Sequence, residues 1–480
     1  MNRKMVFSVI GKILLALAAL LLLPTACALY YRENTVVPFL ITIGISLVSG
    51  ALLTFLCRTK NHVIFAKEGF AIVALTWIAA SLVGALPFYL SGEIPSFIDA
   101  FFETVSGFTT TGASILPNVE VMSKGLLFWR SFTHWIGGMG VIVFVMMFTN
   151  FSDHSLHIMR AEMPGPIVGK LVPKAKDTAR LLYIIYVVLT LVLIILLRLG
   201  GMPLFESVLH SFGTAGTGGF GIKSDSIASY STYIQWVITV FMLLFGVNFN
   251  IYYLILIKRF KSAIRSAEMW TYFAIVGIST GIITANIFSS DIGFGKALRD
   301  AAFQVSSIIT TTGYTTANFD LWPSLSKTVL VTLMFIGACA GSTGGGFKVT
   351  RVIILFKMIK REFIKLLHPR SVRVIRFEGK PLDEATVSNT GSYLAVYTIC
   401  FFAIFLAVST DGFDLATNFT AVASCFNNIG PGLSKVGPIE NFSLYSPFST
   451  FILSVAMLLG RLEIFPILLA AAPSTWSKRK

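Results

Sequence analysis

The sequence predicts an all-α polytopic membrane protein with four pseudo-symmetric membrane–pore–membrane repeats around one central pore, preceded by two extra N-terminal transmembrane helices. Two observations lead to this fold class. Hydrophobic residues make up 55% of the 480 residues and charged residues 13%, with a mean hydropathy of +0.78, whereas average globular chains carry roughly 25% charged residues. In addition, a five-residue segment centred on glycine returns four times, each time between two long apolar runs.

Ten apolar runs have the length that a helix needs to cross a bilayer. They cover residues 7–29, 37–57, 69–90, 127–149, 181–200, 233–257, 271–289, 327–358, 391–410 and 447–472. Basic residues gather in alternate loops and at both chain ends, so the net charge of +15 follows the positive-inside rule and predicts cytoplasmic termini. This distribution is typical of a protein in a lipid membrane and disfavours nucleic-acid binding as the reason for the positive charge. The five cysteines are scattered without the spacing of a metal site.

The four glycine segments share their setting as well as their composition. They read Thr110-Thr111-Gly112-Ala113-Ser114, Thr217-Gly218-Gly219-Phe220-Gly221, Thr311-Thr312-Gly313-Tyr314-Thr315 and Asn428-Ile429-Gly430-Pro431-Gly432. Thirteen residues before the central glycine stands an acidic residue in three copies, Asp99, Glu206 and Asp300. The stretch before each segment is about 12–14 residues long, too short to span a bilayer. We therefore predict four re-entrant half-helices, with the acid in the first turn where the helix dipole favours it.

The predicted repeat unit is span, half-helix, glycine segment, span. We assign residues 1–66 to the N-terminal helix pair, 67–177 to repeat 1, 178–268 to repeat 2, 269–380 to repeat 3 and 381–480 to repeat 4. Non-helical backbone at membrane depth is tolerated only where it lines a cavity or is buried in protein. The carbonyl ends of the half-helices would therefore face one axis, and glycine permits the left-handed backbone angles that such a segment needs.

A ring of main-chain carbonyls of this kind predicts a filter for monovalent cations. The predicted filter residues, with bound K⁺, are Thr110, Thr111, Gly112, Thr217, Gly218, Gly219, Thr311, Thr312, Gly313, Asn428, Ile429 and Gly430. Neutral carbonyls suit potassium, which is larger and more weakly hydrated than sodium. The segments contain no Asp or Glu, which disfavours a divalent cation. We predict K⁺ as the bound and transported ion and no cofactor in this chain.

Four non-identical repeats of this kind resemble the Trk/Ktr/HKT superfamily of potassium transporters. The extra N-terminal spans and the stretches Gly137-Gly138-Met139-Gly140 and Asn427-Asn428-Ile429-Gly430-Pro431-Gly432 are most similar to its TrkH members. The resemblance implies potassium uptake across a bacterial inner membrane. It also implies a homodimer with one pore per subunit, and a cytosolic nucleotide-binding regulatory subunit like TrkA. Gly112 resembles the potassium-selective members, because sodium-passing plant relatives often carry serine there.

A glycine-rich interruption of the eighth span, residues 337–346, predicts a gate. Its glycines are Gly337, Gly341, Gly344, Gly345 and Gly346, too many for a stable helix. The spacing of Gly337, Gly341 and Gly345 also suits simple helix packing. In the family that the chain resembles, a loop in this place lies beneath the filter and gates it.

Arg461 is the second predicted part of the gate. It lies inside the tenth span, roughly 24 Å of helix from the terminal basic cluster, so its side chain cannot reach the interface. Either it pairs with an internal acid such as Glu463, or it is a positive charge near the pore axis that bonds to loop carbonyls. The family resemblance favours the second reading.

Two other functions compete with ion conduction, a polytopic membrane enzyme and a solute cotransporter. No H-E-x-x-H or G-x-S-x-G motif supports an enzyme, and four repeats in one orientation disfavour a cotransporter with inverted repeats. The longest basic loop, 347–385, is the expected docking surface for the regulatory partner. His134 receives no role, while Asn248 and Asn250 either line a cavity or bond between helices.

Overall fold

The computed structural model describes residues 1–59, 65–140, 175–289 and 292–476, and almost all of its regular structure is helical. The chain opens with α1 (Arg3–Leu20), α2 (Leu22–Tyr30) and α3 (Val36–Leu56). Then follow α4 (Ala66–Leu90), α5 (Phe97–Phe108), α6 (Lys124–Gly138), α7 (Ala175–Leu199), α8 (Leu204–Gly216), α9 (Thr232–Gly246), α10 (Phe249–Leu256) and α11 (Phe260–Ile264).

The second half of the chain repeats the same order of long and short helices. It contains α12 (Ala267–Ile287), α13 (Phe294–Ile309), α14 (Ser324–Ile336), α15 (Val349–Leu367), the strands β1 (Arg376–Phe377) and β2 (Lys380–Pro381), α16 (Glu384–Val408), α17 (Leu415–Asn427), α18 (Pro447–Arg461), α19 (Phe465–Ala471) and α20 (Pro473–Trp476). The two strands form one antiparallel hairpin.

Six helical stretches within the described ranges are long and apolar enough to cross a membrane alone. They are residues 3–30, 36–56, 67–90, 180–199, 267–287 and 384–411, and each matches a predicted span. Large apolar side chains cover their outer faces, and Val48, Leu199 and Leu406 are each at least 70% exposed. Such faces are stable only against lipid or another apolar partner.

Four short helices, α5, α8, α13 and α17, stand where the sequence predicts half-helices. Three of them begin at Phe97, Leu204 and Leu415 and are 12 or 13 residues long, within the predicted length. For the third in chain order, α13, the predicted length is wrong, because the helix begins at Phe294 and has 16 residues. Asp300 therefore lies in its second turn, where Arg299 pairs with it at 3.4 Å.

The second helix of each repeat ends near the middle of its predicted span, whereas the sequence predicted an interruption only in the eighth span, at residues 337–346. Helices α6, α9, α14 and α18 contain 15, 15, 13 and 15 residues. Helices α9 and α10 meet at 89°, and α18 and α19 meet at 118°. The predictions of continuous spans over 233–257 and 447–472 are therefore wrong. Hydropathy measures the apolar length of a segment and is blind to the continuity of its backbone.

Local signals explain two of these breaks. Val247 is extended, and Asn248 caps α10 by accepting a hydrogen bond from the Asn250 N–H. Glu463 and Ile464 both have positive φ, 57° and 62°, which ends α18. The predicted span 127–149 lies within the described residues only up to residue 140. The basic loop that follows it and the terminal cluster 478–480 lie outside the described residues.

Helix packing closes the repeats into a ring. Each short helix packs against the second helix of its own repeat: α5 on α6, α8 on α9, α13 on α14 and α17 on α18. Each also packs against the second helix of the preceding repeat: α8 on α6, α13 on α9, α17 on α14 and α5 on α18. The contact of α5 with α18 joins the first repeat to the last. The assigned repeat boundaries themselves stay predictions.

Candidate ion-conducting site

The four glycine segments meet at the centre of this ring, each against the next. A Cβ atom built on the central glycine of one segment would overlap or touch a carbonyl oxygen of its neighbour. It would lie 1.9 Å from Gly218 O at Gly112, 1.9 Å from Thr312 O at Gly219, 2.1 Å from Ile429 O at Gly313 and 3.0 Å from Thr111 O at Gly430. The structure thus brings the four segments of the predicted filter together, and at three of the four contacts only glycine fits.

All four segments leave their short helix through the same backbone turn. The first residue of each, Thr110, Thr217, Thr311 or Asn428, has a left-handed φ between 54° and 58°. The N–H group of the next residue donates to the carbonyl five residues back, as Thr111 does to Ser106 at 2.9 Å and Thr312 to Ser307 at 2.8 Å. Together with the N–H bond of the first residue, this is the Schellman ending of a helix. The small residues six before each glycine accept these bonds.

This turn sets the direction of the carbonyl groups. Because the N–H groups bond back to the helix ends, the next carbonyls are directed away from them. Within the described part of the chain, no residue donates a hydrogen bond to the carbonyls of Thr111, Gly218, Thr312 or Ile429. Left-handed φ at the central glycines, 70° to 109°, completes the alternation that the sequence predicts. Unpaired carbonyl oxygens on one axis can replace water around a dehydrated cation.

Left-handed threonine is uncommon because its Cβ is branched. Three of the four segments hold one, and such a residue costs about 1–3 kcal/mol unless its surroundings fix it. Side chains supply part of that restraint: Thr311 Oγ1 accepts the Gly345 N–H at 2.6 Å. Asn428, the left-handed residue of the fourth segment, donates from Nδ2 to Thr111 Oγ1 at 2.9 Å and so links the last segment to the first. Strain held by neighbouring groups in this way is typical of a functional site.

A buried ion pair supports the first two segments from their open side. Glu103 of α5 accepts the side chain of Arg130 of α6 at 2.5 Å and the Ile115 N–H at 2.9 Å. Arg130 also donates to the carbonyl of Gly221 at 2.8 Å and lies over the ring of Phe220. The pair thus ties the backbone after one segment to the backbone of the next.

The segments open on this side into a cavity of about 130 Å³. All four central glycines and Arg130 line it. His134, which received no role from sequence, stacks on Phe220 with ring centroids 4.1 Å apart. A Cβ on Gly218 would lie 2.5 Å from its ring, so His134 packs against the second segment.

The 337–346 loop lies directly behind the third and fourth segments, on the side opposite this cavity. Gly345 donates its N–H to Thr311 Oγ1 at 2.6 Å. A Cβ on Gly344 would lie 2.9 Å from Thr310 O, and one on Gly345 would lie 2.7 Å from Asn427 O. Gly337, Gly341 and Gly346 have positive φ of 69° to 77°. Close approach and backbone angle together explain why the loop is rich in glycine.

Arg461, at the end of α18, bonds to this loop. Its guanidinium donates to Thr343 O at 2.9 Å, to Gly137 O at 2.6 Å and to Gly138 O at 2.9 Å. Of the two readings of this residue, contact with loop carbonyls is the one observed. Glu463, the alternative partner, instead forms an ion pair with Arg351.

A second set of contacts holds the loop at its other end. Glu268, buried in the first turn of α12, accepts the Ala340 N–H at 2.7 Å and the Thr350 hydroxyl. Asn248 Nδ2 donates to the same carboxylate at 3.3 Å, and Gly341 packs against Asn248. Asn248 thus bonds between helices, which resolves one of the two readings left open for it.

Sequence reasoning missed Glu103, Arg130 and Glu268. All three are charged residues in or beside apolar helices, which is the signal that could have found them, since buried charges need partners. Their partners come from distant parts of the chain, so the sequence could not name them.

The comparisons with known proteins agree with this geometry. Residues 37–480 match the TrkH family, described as cation transport proteins. The Trk system potassium uptake proteins TrkH of Salmonella typhimurium and Escherichia coli K12 are each 35% identical over 99% of this chain and 100% of their own length. The crystal structure of the potassium transporter TrkH from Vibrio parahaemolyticus superposes with a TM-score of 0.88, at 32% identity over 99% of this chain and 100% of that one. The predicted fold class is thereby confirmed.

Proposed function

Because the chain belongs to the TrkH family of cation transport proteins, we propose that it is the ion-conducting membrane subunit of a potassium uptake system. The observation that carries this proposal is the closed ring of glycine segments, in which each central glycine lies against a carbonyl of the next segment. The carbonyls of the predicted filter residues would bind K⁺ in place of its hydration shell. The carbonyl ends of four short helices add partial negative charge at the same place.

We assign gating to the 337–346 loop together with Arg461. Two features support this: the loop contacts the third and fourth segments, and Arg461 holds its Thr343 carbonyl. A positive charge beside the axis would also raise the barrier to cations. Flux would then require the loop and the guanidinium to move aside.

The membrane placement follows from the charge pattern. The basic loops and ends lie on one side of the predicted topology, so both termini would be cytoplasmic and the protein would lie in a bacterial inner membrane. The short helices would enter from outside. A homodimer, with one pore per subunit, remains part of the proposal.

A direct transport measurement tests the function. In liposomes that contain the purified protein, an outward potassium gradient should drive the accumulation of radioactive rubidium. The reversal potential of the protein should follow the potassium gradient in preference to the sodium gradient. Empty liposomes are the control. An absence of rubidium uptake by correctly folded protein and by its correctly folded Arg461→Ala variant would refute the proposal. The enzyme and cotransporter alternatives have weaker support, since the relatives are named as potassium uptake proteins.

The name "Trk system" of these relatives indicates further components, and we propose a TrkA-like cytosolic nucleotide-binding subunit as one of them. Exposed arginines in the 347–385 loop, Arg370, Arg373 and Arg376, would dock it. Charge reversal of these three residues should abolish co-purification of the partner. The same reversal at Lys261, in a different basic loop, is the control. Co-purification that survives the triple change would contradict this docking surface.

A further inference from the structure

The β1–β2 hairpin lies in a long basic region and is held by specific backbone and side-chain contacts. Its two turn residues, Glu378 and Gly379, have φ of 50° and 74°, as a type I′ turn requires. The Phe377 side chain is buried. Lys357 of α15 donates to the Arg376 carbonyl at 2.7 Å. These contacts fix the hairpin on α15, the helix that follows the 337–346 loop directly.

The tip of the hairpin binds the start of α12. Glu378 Oε1 accepts the Ser266 hydroxyl at 2.9 Å and the Glu268 N–H at 3.3 Å. Ser266 is the N-cap of α12, so the carboxylate lies at the positive end of the helix dipole. Glu378 is itself exposed, and anything that binds the hairpin can therefore reach it.

The same turn of α12 holds the loop through a second carboxylate. The backbone N–H of Glu268 faces Glu378, whereas its side chain is 3% exposed and accepts the Ala340 N–H and the Thr350 hydroxyl. One residue thus connects the surface hairpin to the loop at Ala340 and to the start of α15 at Thr350. A displacement of the hairpin tip would move the first turn of α12 and, with it, the anchor of the loop.

We propose that Glu378 and Glu268 form a coupling element that transmits an event on the cytoplasmic surface to the 337–346 loop. Both are positioning residues, because neither touches the ion path. The inference rests on the proposed function in one respect, that this loop controls flux. It adds to that function the route by which a docked regulatory partner acts on the gate.

Cys339 offers a native reporter of loop position. It lies in the loop beside Ala340 and is fully buried, and its N–H donates to Gly246 O at 3.1 Å. With the other four cysteines changed to serine, the rate at which a water-soluble maleimide modifies Cys339 measures how often the loop opens. This measurement needs no ion flux.

We expect Glu378→Ala to raise the labelling rate about fivefold or more, the lower end of typical coupling between sites. Glu268→Gln should raise it at least as much. The double variant should add little to Glu268→Gln alone, because the two residues act in series. Glu378→Gln, which keeps an uncharged acceptor, should lie between Glu378→Ala and the parent.

The matched control is Glu120→Ala. Glu120 is also an exposed carboxylate that accepts a backbone N–H from a distant loop, that of Ser224 at 2.9 Å, but neither residue belongs to the hairpin, α12 or the 337–346 loop. Its labelling rate should equal that of the parent. Should Glu268→Gln fail to fold, Thr350→Val removes one donor from Glu268 and should raise labelling in its place.

A Glu378→Ala rate equal to the parent rate would overturn the coupling, whatever Glu268→Gln does. Purely additive effects in the double variant would overturn it as well. Rubidium flux in the same preparations separates this result from the proposed function. An absence of flux in both the parent and Arg461→Ala refutes potassium conduction, while the labelling pattern still decides whether the hairpin controls the loop.

Discussion

Substitution of the central glycines by serine should damage ion selectivity in a graded order that the ring geometry sets. At Gly112 the new Cβ would lie 1.9 Å from Gly218 O, and at Gly219 it would lie 1.9 Å from Thr312 O. At Gly430 the nearest oxygen is 3.0 Å away. All these positions have left-handed φ, so backbone strain is common to them and the carbonyl contact distinguishes them.

The magnitude follows from that contact. Since Cβ atoms essentially never approach another heavy atom within 3.0 Å, Gly218 O has to move by about 1 Å to accept a residue at 112. Left-handed strain adds about 1–3 kcal/mol. Each 1.4 kcal/mol is a factor of about ten in an equilibrium constant. The displacement of a carbonyl oxygen is needed at Gly112 and Gly219 and adds to the strain there, so we expect Gly112→Ser and Gly219→Ser to lower the K⁺-over-Na⁺ permeability ratio about tenfold or more, and Gly430→Ser to lower it less.

Reversal potentials in opposed potassium and sodium gradients measure this ratio directly. Gly281→Ser is the control for an added side chain, since a Cβ there meets nothing within 4 Å. Equal reversal potentials for Gly112→Ser and the parent, with both proteins monodisperse, would refute the assignment of the filter. A larger loss at Gly430 than at Gly112 would refute the geometric argument.

Three further predictions concern the gate and the supporting contacts. Arg461→Ala removes the donor to three carbonyls, at about 1.5–3 kcal/mol for each charge-assisted bond, and should raise basal rubidium flux about tenfold or more. Arg461→Lys should raise the flux less. Unchanged flux in Arg461→Ala would contradict the proposed gate. Arg130→Met leaves the Glu103 carboxylate buried without its partner and should lower the free energy of unfolding, measured by thermal unfolding, by about 3–5 kcal/mol. Adding Glu103→Gln should recover part of this loss. An unchanged midpoint temperature of unfolding would show that the pair is dispensable. The hydrogen bonds from the hydroxyl and the backbone N–H of Thr417 hold the pKa of Asp414 below its ordinary 3.8. The contribution of this N-cap is therefore present above the unfolded pKa and is lost as pH falls through the lower folded pKa. Asp414→Asn should keep about the same stability at neutral pH and lose this acid sensitivity, and a pH profile like that of the parent would rule out Asp414 as its source.

Much of the fold could be read from local sequence. Hydropathy located the uninterrupted spans, because each helix that crosses a bilayer alone must satisfy its own backbone. The glycine segments located the ring, because a Schellman turn followed by a left-handed glycine is a local backbone requirement. The start of α13 and the breaks after α9 and α18 were not predicted, since apolar residues are equally compatible with a straight and a broken helix.

The candidate site also has a part that local sequence determines and a part that it does not. By itself the sequence determined which residues can occupy the ring and the loop, namely the glycines at the central positions and in 337–346, because their backbone angles and lack of a Cβ are intrinsic properties. Only the tertiary structure decided what Arg461, Glu103, Glu268 and Glu378 bind. Partners of these residues lie from 12 to 324 residues away along the chain, and a buried or capping charge takes whichever groups packing brings within hydrogen-bond distance.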